Sequence, residues 1–392
     1  MKKYKKSLVI AVGGGNDSVS TLLLQLQLNK QFNYNPDSID ILAVLPDCVQ
    51  YFNMENLYSD ILFKITPDSE RFIDGKKIDA FPEVILSNHL SYFKELKLNQ
   101  ILGVSTTNGS LGIYKSLKYL IDKEGYDLVL TVDVGGDLIA HKDNTDVLSP
   151  MMDGLMLCSL SNLAQEIKRN KKEIDILYSV FGLGTDGEST PEMLDKALSM
   201  IPDLKEYSFE KDNINDFIPF YRKIVESNRY SRTTDYTIKE IMGEEHPNPS
   251  DFRARFHANE NKYYAYFSHY QDPKYFGKFY LFKDVSKINS PYAFPCNSSL
   301  EWAIKASSSN VGLNHELNGQ SLTMEGKRVF IGTPSNKFNK KDRVCILNDI
   351  VDMLIAKKYD LALMYNNDLY HIDNYENLKV TIIAHNISLI SI

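Results

Sequence analysis

Four short stretches in the first half of the chain combine glycine with acidic or hydroxyl side chains at spacings that suit phosphate or cation binding. In the first, GGGNDS, Gly13, Gly14 and Gly15 run directly into Asn16, Asp17 and Ser18. Consecutive glycines let backbone N–H groups converge on an anion, and a helix opening at Asp17 or Ser18 adds the partial positive charge of its N-terminus. The competing explanation is a tight turn in which Asp17 or Ser18 simply caps the helix. Three glycines in a row exceed what a turn requires, which favours a ligand loop.

The second stretch, VDVGGD, sets Asp133 and Asp137 on either side of Gly135 and Gly136. Carboxylates at a strand end, freed by glycines, suit Mg²⁺ coordination or hydrogen bonds to ribose hydroxyls; a turn cap and a solvated side chain are the alternative. SPMMDG places Ser149 and Pro150 at a helix start and Asp153 in its first turn, where the dipole favours an anion in any case. GTDGE brings Asp186, Gly187 and Glu188 after another strand. The expected assignment is Asp133, Asp137 and Asp186 on a metal, with Asp153 or Glu188 activating water or a hydroxyl.

The elements that must position these loops follow from hydrophobic periodicity. Apolar, β-branched runs at 7–12, 39–45, 61–65, 100–105, 128–133 and 174–181 read as strands. Helical patterns fill 17–29, 111–123, 150–169 and 191–200. In the first of these, Val19, Leu22, Leu23 and Leu26 share one face. Alternating strands and helices predict an α/β fold with a mainly parallel, doubly wound, Rossmann-like sheet, whose ligands bind beyond the carboxyl ends of its strands. The second half is less regular. A helix is expected at 212–228, a tyrosine-rich stretch at 263–280 and a loop at 289–299. A C-terminal α/β extension follows, with strands at 327–331, 359–364 and 378–384 and a helix at 342–357. The EEHPNPSD segment suggests a boundary, dividing a ligand-binding domain at 1–245 from a C-terminal region at 246–392.

Two resemblances bear on these blocks. GGGNDS resembles the SGGxDS loop of the PP-loop ATP pyrophosphatases at Gly14, Gly15, Asp17 and Ser18, with Gly13 standing where that family has serine. This resemblance implies ATP-dependent adenylation, and the missing serine argues against it. GGGNDS, VDVGGD, SPMMDG and GTDGE, in that order, are also similar to the signature blocks of a prokaryotic domain family of unknown function. Those blocks are GGGGD, VDVGGD, SPLAD and DGE. The likeness extends over about residues 7–188. Asn16 departs from the usual glycine, and His141-Lys142-Asp143-Asn144 departs from an acidic linker. It implies an α/β ligand-binding domain and assigns no reaction.

Composition sets the limits. A net charge of −7 over 392 residues argues against general nucleic-acid binding or an anionic membrane as partner. The apolar run at 8–12 is too short for a signal peptide, and nothing approaches the ~20 residues of a membrane span. Cys48, Cys158, Cys296 and Cys345 lack zinc or disulfide spacing, which fits a reducing cytoplasm. No structural zinc, haem or NAD is expected. His141, close to Asp137, is a candidate acid or base or a plain polar residue. Arg229, Arg232, Arg253 and Arg255 suit phosphate clamps or surface ion pairs. The leading expectation is an enzyme hydrolysing or transferring a group of a nucleotide or phosphorylated small molecule, with Mg²⁺ as candidate cofactor. The alternative is a non-catalytic sensor of the same ligand.

Overall fold

The computed structural model describes residues 3–14, 17–45, 52–73, 76–78, 82–141, 147, 150–187, 189–226, 232–246, 252–257, 262–267, 272–288, 290–299, 301–302 and 305, and the backbone of six strands between 313 and 391. A nine-stranded sheet forms the centre. In chain order its strands are β1 (Lys6–Ala11), β2 (Ser38–Leu45), β3 (Glu55–Tyr58), β4 (Leu62–Ile65), β5 (Leu98–Ser105), β6 (Leu128–Val134), β7 (Asp175–Phe181), β8 (Lys205–Ser208) and β9 (Lys278–Phe282). Across the sheet they run β8-β9-β7-β6-β1-β2-β5-β4-β3.

The five central strands are parallel, and each reads as a near-continuous apolar run because helices cover both faces. The chain moves outward from β1 through β2 to β5, then returns to the other side of β1 with β6 and β7. The reversal makes the gap between β1 and β6 a topological switch point, where ligands bind in open α/β sheets. The two flanks depart from the expected parallel pattern. Strands β3 and β4 form an antiparallel hairpin against β5, and β9 pairs antiparallel with both β7 and β8.

One face is covered by α1 (Asp17–Phe32), α2 (Pro82–Asn88), α6 (Lys211–Ile214) and α7 (Phe217–Glu226); α3 (Gly109–Glu124), α4 (Met151–Arg169) and α5 (Pro191–Ser199) pack on the other. Side chains of β1 alternate between the two cores, Leu8 and Ile10 facing α3 and α4 while Val9 faces α1. The expected amphipathic α1 is in fact buried around its whole circumference from Asp17 to Leu28, because α2, α6 and α7 enclose its outer side. The helix expected at 212–228 is divided into α6 and α7. A last helix, α8 (Arg232–Met242), follows.

The expected boundary at 245/246 does not coincide with an edge of the sheet. Strand β9, Lys278–Phe282, lies well beyond it and is embedded in the sheet, with Phe279 and Tyr280 at most 1% exposed. Residues 290–302 also pack on α3 and α4. Further on, a separate six-stranded sheet includes the expected strands as Arg328–Gly332, Asp360–Met364 and Lys379–Ala384, the first two parallel. Its other pairings are antiparallel. The helix expected at 342–357 lies outside the described residues, as do the side chains of Arg229, Arg232, Arg253 and Arg255. No helix among the described residues is long and apolar enough to cross a membrane.

Candidate functional site

The two edges of the parallel sheet treat their carboxylates differently. At the amino edge buried Asp40 and half-buried Asp127 and Asp175 are met by donors. Asp40 accepts from Tyr126 Oη at 2.5 Å, Asn99 Nδ2 at 2.8 Å and Gln100 Nε2 at 3.1 Å, with Lys6 Nζ at 3.5 Å. Asp127 accepts from the N–H groups of Lys5 and Lys6, and Asp175 from Tyr4 Oη. These bonds are structural, and they leave each negative charge compensated.

At the carboxyl edge, in the switch point, acids instead face one another. Asp17 opens α1, Asp133 ends β6, Asp153 lies in the first turn of α4, and Asp186 follows β7; Glu83 joins them from the first turn of α2. Asp17, Asp133, Asp153 and Glu83 are each at least 92% buried. Burial, and then the charges of Asp133, Glu83 and Asp186, hold the Asp17 carboxyl well above the usual carboxylate range. Burial likewise pushes Asp133 up to about 7, against the pull of backbone N–H groups and a hydrogen bond shared with Asp153. A carboxyl pair that shares a proton near neutral pH titrates as a unit and can both give and take it.

The glycine loops hold these acids in place more than they expose open backbone. Val134, Gly136 and Leu138 direct their N–H groups at the Asp133 carboxylate, Leu138 at 3.2 Å. Gly135 N–H bonds Phe181 O, and Gly184 N–H bonds Gly135 O. The VDVGGD turn is therefore a nest already filled by its own anion. Both glycines have φ near +120°, and a methyl on Gly135 would meet Asp186 Oδ2 at 2.5 Å. In the first loop the Gly13 N–H donates to Asp17. A methyl on Gly13 would lie 2.4 Å from Asp17 Oδ2 and 3.8 Å from Asp153 Oδ1, and one on Gly14 would meet Met152 Sδ at 2.3 Å. Of the glycines expected at the phosphate, Gly13 and Gly135 thus leave room for Asp17 and Asp186, Gly14 for Met152 of α4, and Gly136 lies against Leu183 and Leu194.

The expected metal triad is also not preassembled. Among the described residues no three His, Cys, Asp or Glu side chains stand together as metal ligands. Asp133 turns toward Asp153 and its own nest, Asp186 lies over Gly135, and half-buried Asp137 begins a one-turn 3₁₀ helix, Asp137–Ile139. His141 is buried directly beyond that turn. Ser18, expected on the ligand, donates to Glu83 Oε1 at 2.8 Å. Gly15, Asn16, Ser149 and Glu188 lie outside the described residues. Pro150, expected as the first helical residue, is the N-cap of α4.

Sequence reasoning passed over two contributors. Pro82-Glu83, a proline followed by an acid, is a helix-start signal that marks α2. Helix α8 is pinned to the same edge, with Ser20 Oγ 2.5 Å from Thr234 Oγ1 and Thr237 Oγ1 against Gly182. These hydroxyl contacts join residues far apart in the chain, and no local pattern announces them.

Fold and site together define a doubly wound α/β protein with a buried, proton-sharing carboxylate cluster at its switch point. Residues 54–233 match the model of a family described as a protein of unknown function (DUF1152). That segment contains Glu83, Asp133, Asp153 and Asp186; Gly13 and Asp17 precede it. The match lends nothing to the likeness with PP-loop pyrophosphatases, whose loop would lie before residue 54. Among curated proteins none matches the chain.

Proposed function

We propose that the switch point binds a phosphorylated small molecule of the nucleotide class together with Mg²⁺, and that the Asp133–Asp153 pair moves the proton in its hydrolysis or group transfer. The observation behind this reading is the contrast between the two sheet edges. Acids at the amino edge are met by donors and serve stability, whereas at the switch point burial and neighbouring acids raise Asp17 and Asp133 despite their backbone donors, a pattern that fits a site built for chemistry.

A bare phosphate would meet this ring of carboxylates unfavourably. Asp17 or Asp186 would hold a divalent cation bound together with it, which would supply the charge neutralisation that this conflict calls for. Helices α1 and α4 begin at the same edge, and the positive ends of their dipoles favour the phosphate. With the metal in place, Asp133 or Asp153 acts as base toward water or an acceptor hydroxyl.

The test is a panel of nucleotides and sugar phosphates, with and without MgCl₂, read by calorimetry and by phosphorus NMR for turnover. Tight binding of at least one compound in the presence of Mg²⁺, with slow conversion, is the expected result. In Asp133→Asn the rate should drop by about 10²–10⁴-fold while affinity changes little. Binding without conversion in the parent protein would replace the enzyme by a sensor of the same ligand. Absence of binding across the panel would overturn both.

A further inference from the structure

After β9 has closed the sheet, the chain crosses α3 and α4 at residues 290–299 and 301–302. This crossing is made of backbone-to-backbone contacts at two glycines. At Gly109, where φ is +58°, a methyl would lie 2.6 Å from Cys296 O and 2.7 Å from Ser298 N. At Gly154, in the first turn of α4, it would lie 2.4 Å from Tyr292 O. Ser110 fastens the segment between these points. Its Oγ donates to Phe294 O at 3.1 Å and accepts from Cys296 N at 3.0 Å. Leu111 N–H donates to Cys296 O at 3.1 Å.

The segment is closed on itself by Trp302. The indole Nε1 donates to Tyr292 O at 2.7 Å, the same carbonyl that lies against Gly154, and the Trp302 ring stacks on Phe294 at 5.8 Å and 9°. Trp302 and Tyr292 are both at most 1% exposed. One bond thus fixes the carbonyl against which α4 begins. Gly154 is the neighbour of Asp153, and Met152, on the other side of Asp153, lies against Gly14. The first turn of α4 is held between the strap and the first glycine loop.

We propose that residues 290–299 and 301–302 are a strap whose Tyr292 carbonyl, held by Trp302, positions Asp153 against Asp133, making Tyr292 and Trp302 positioning residues of the switch-point site. The chain passes from the strap to the C-terminal strands that begin at Leu313. The strap's meaning for catalysis rests on the function proposed above; the mechanical link does not.

Hydrogen exchange of the full-length protein, read by mass spectrometry without ligand, tests the link. Trp302→Phe keeps a ring on Phe294 and deletes the bond to Tyr292 O. The expected result is at least tenfold faster exchange not only at Leu111 and Gly154, which the strap touches, but also in peptides containing Leu138 and Gly13, whose amides bond Asp133 and Asp17. Gly154→Ala perturbs the same contact from the helix side. It should produce the same remote pattern and shift the emission of Trp302, the chain's sole tryptophan, to the red. Faster exchange confined to the strap and its direct contacts, in both variants, would overturn the proposal. Calorimetry with MgATP on the same samples is scored separately. Failure with MgATP would exclude that one nucleotide, failure across the whole panel would remove the nucleotide reading, and either leaves the exchange result to decide the strap.

Discussion

Asp133 is an acid kept protonated into the neutral range by its surroundings, and its effect on stability has a definite sign. The unfolded chain releases this proton near the ordinary carboxylate range, whereas the folded protein retains it up to about 7. Between those values the native state binds more protons, so this contribution to stability is greatest at low pH and is lost as pH rises through 7. Asp17 is raised as well and acts in the same direction. Replacing Asp133 with asparagine should therefore raise Tm at pH 8, by about 5 °C if roughly 2 kcal/mol is recovered, and change it little at pH 5. Melts of both proteins across that range check this; a variant less stable at pH 8 would show that the carboxylate is held by its donors rather than opposed by its neighbours.

The glycines make a second residue-scale prediction. Gly14→Val must displace the buried Met152 side chain, at a cost of about 1–3 kcal/mol in chemical denaturation. Gly135→Ala would put a side chain at φ near +120° and against Asp186, with a loss of about 1–3 kcal/mol. Wild-type stability in both variants would mean that the loops are looser than their contacts indicate. The motifs were legible as glycine and acid in the right order, because they are local. That Asp133 fills its own nest depends on the turn taken by Val134–Leu138, which composition alone does not specify.

At the scale of elements, what the sequence revealed follows how local each signal is. Thr190-Pro191 announces α5, and in the structure Thr190 Oγ1 accepts from Met193 N at 3.2 Å with Pro191 at the first helical position. Thr190→Ala should cost about 1 kcal/mol, measurable by chemical denaturation. Strands β1, β2, β5, β6 and β7 lie within two residues of the expected limits because buried parallel strands are unbroken apolar runs. Strand β4 also lies within one residue of its expected limits, whereas strand β3, helix α2 and the division of α6 from α7 were less visible. Their sequences are short or mixed, and neighbours from elsewhere in the chain decide them. Helix α1 illustrates the point: Gln25 and Gln27 look like a solvent face, yet both are fully buried, and Gln27 Oε1 accepts from Glu210 N at 3.1 Å.

For the molecule as a whole, the first sheet extends past the polar, proline-containing segment that resembles a linker. A chain ending at residue 245 lacks β9 and the strap, leaving β7 without a neighbour on one side and β8 without its partner. It should be insoluble or lack a cooperative thermal transition, whereas one ending at residue 305 should melt cooperatively. Cooperative melting of the shorter chain would restore the boundary at 245. Ligand linkage acts on the same scale. If Mg²⁺ binds with a nucleotide, the pair should stabilise the fold by about 2.7 kcal/mol at a hundredfold excess over its dissociation constant. Melts with MgATP, ATP alone and MgCl₂ alone should show the shift in the first and little in the others. Equal shifts with ATP alone would argue against a required cation.

The late arrival of β9 also has a consequence for biosynthesis. The chain emerges from its N-terminus, so the four acids Asp17, Asp133, Asp153 and Asp186 exist, and five parallel strands can assemble, before the strand that covers β7 has been made. At about 5–20 residues per second, translation takes on the order of 5–20 s to cover the distance from Phe181 to Lys278. Throughout that interval β7 presents an unpaired edge of buried-type residues, Leu177, Tyr178, Val180 and Phe181, the kind of surface that recruits strands from other chains. The nascent protein therefore passes through a period of aggregation risk set by its own topology, and slowing translation between residues 181 and 282 should lengthen it.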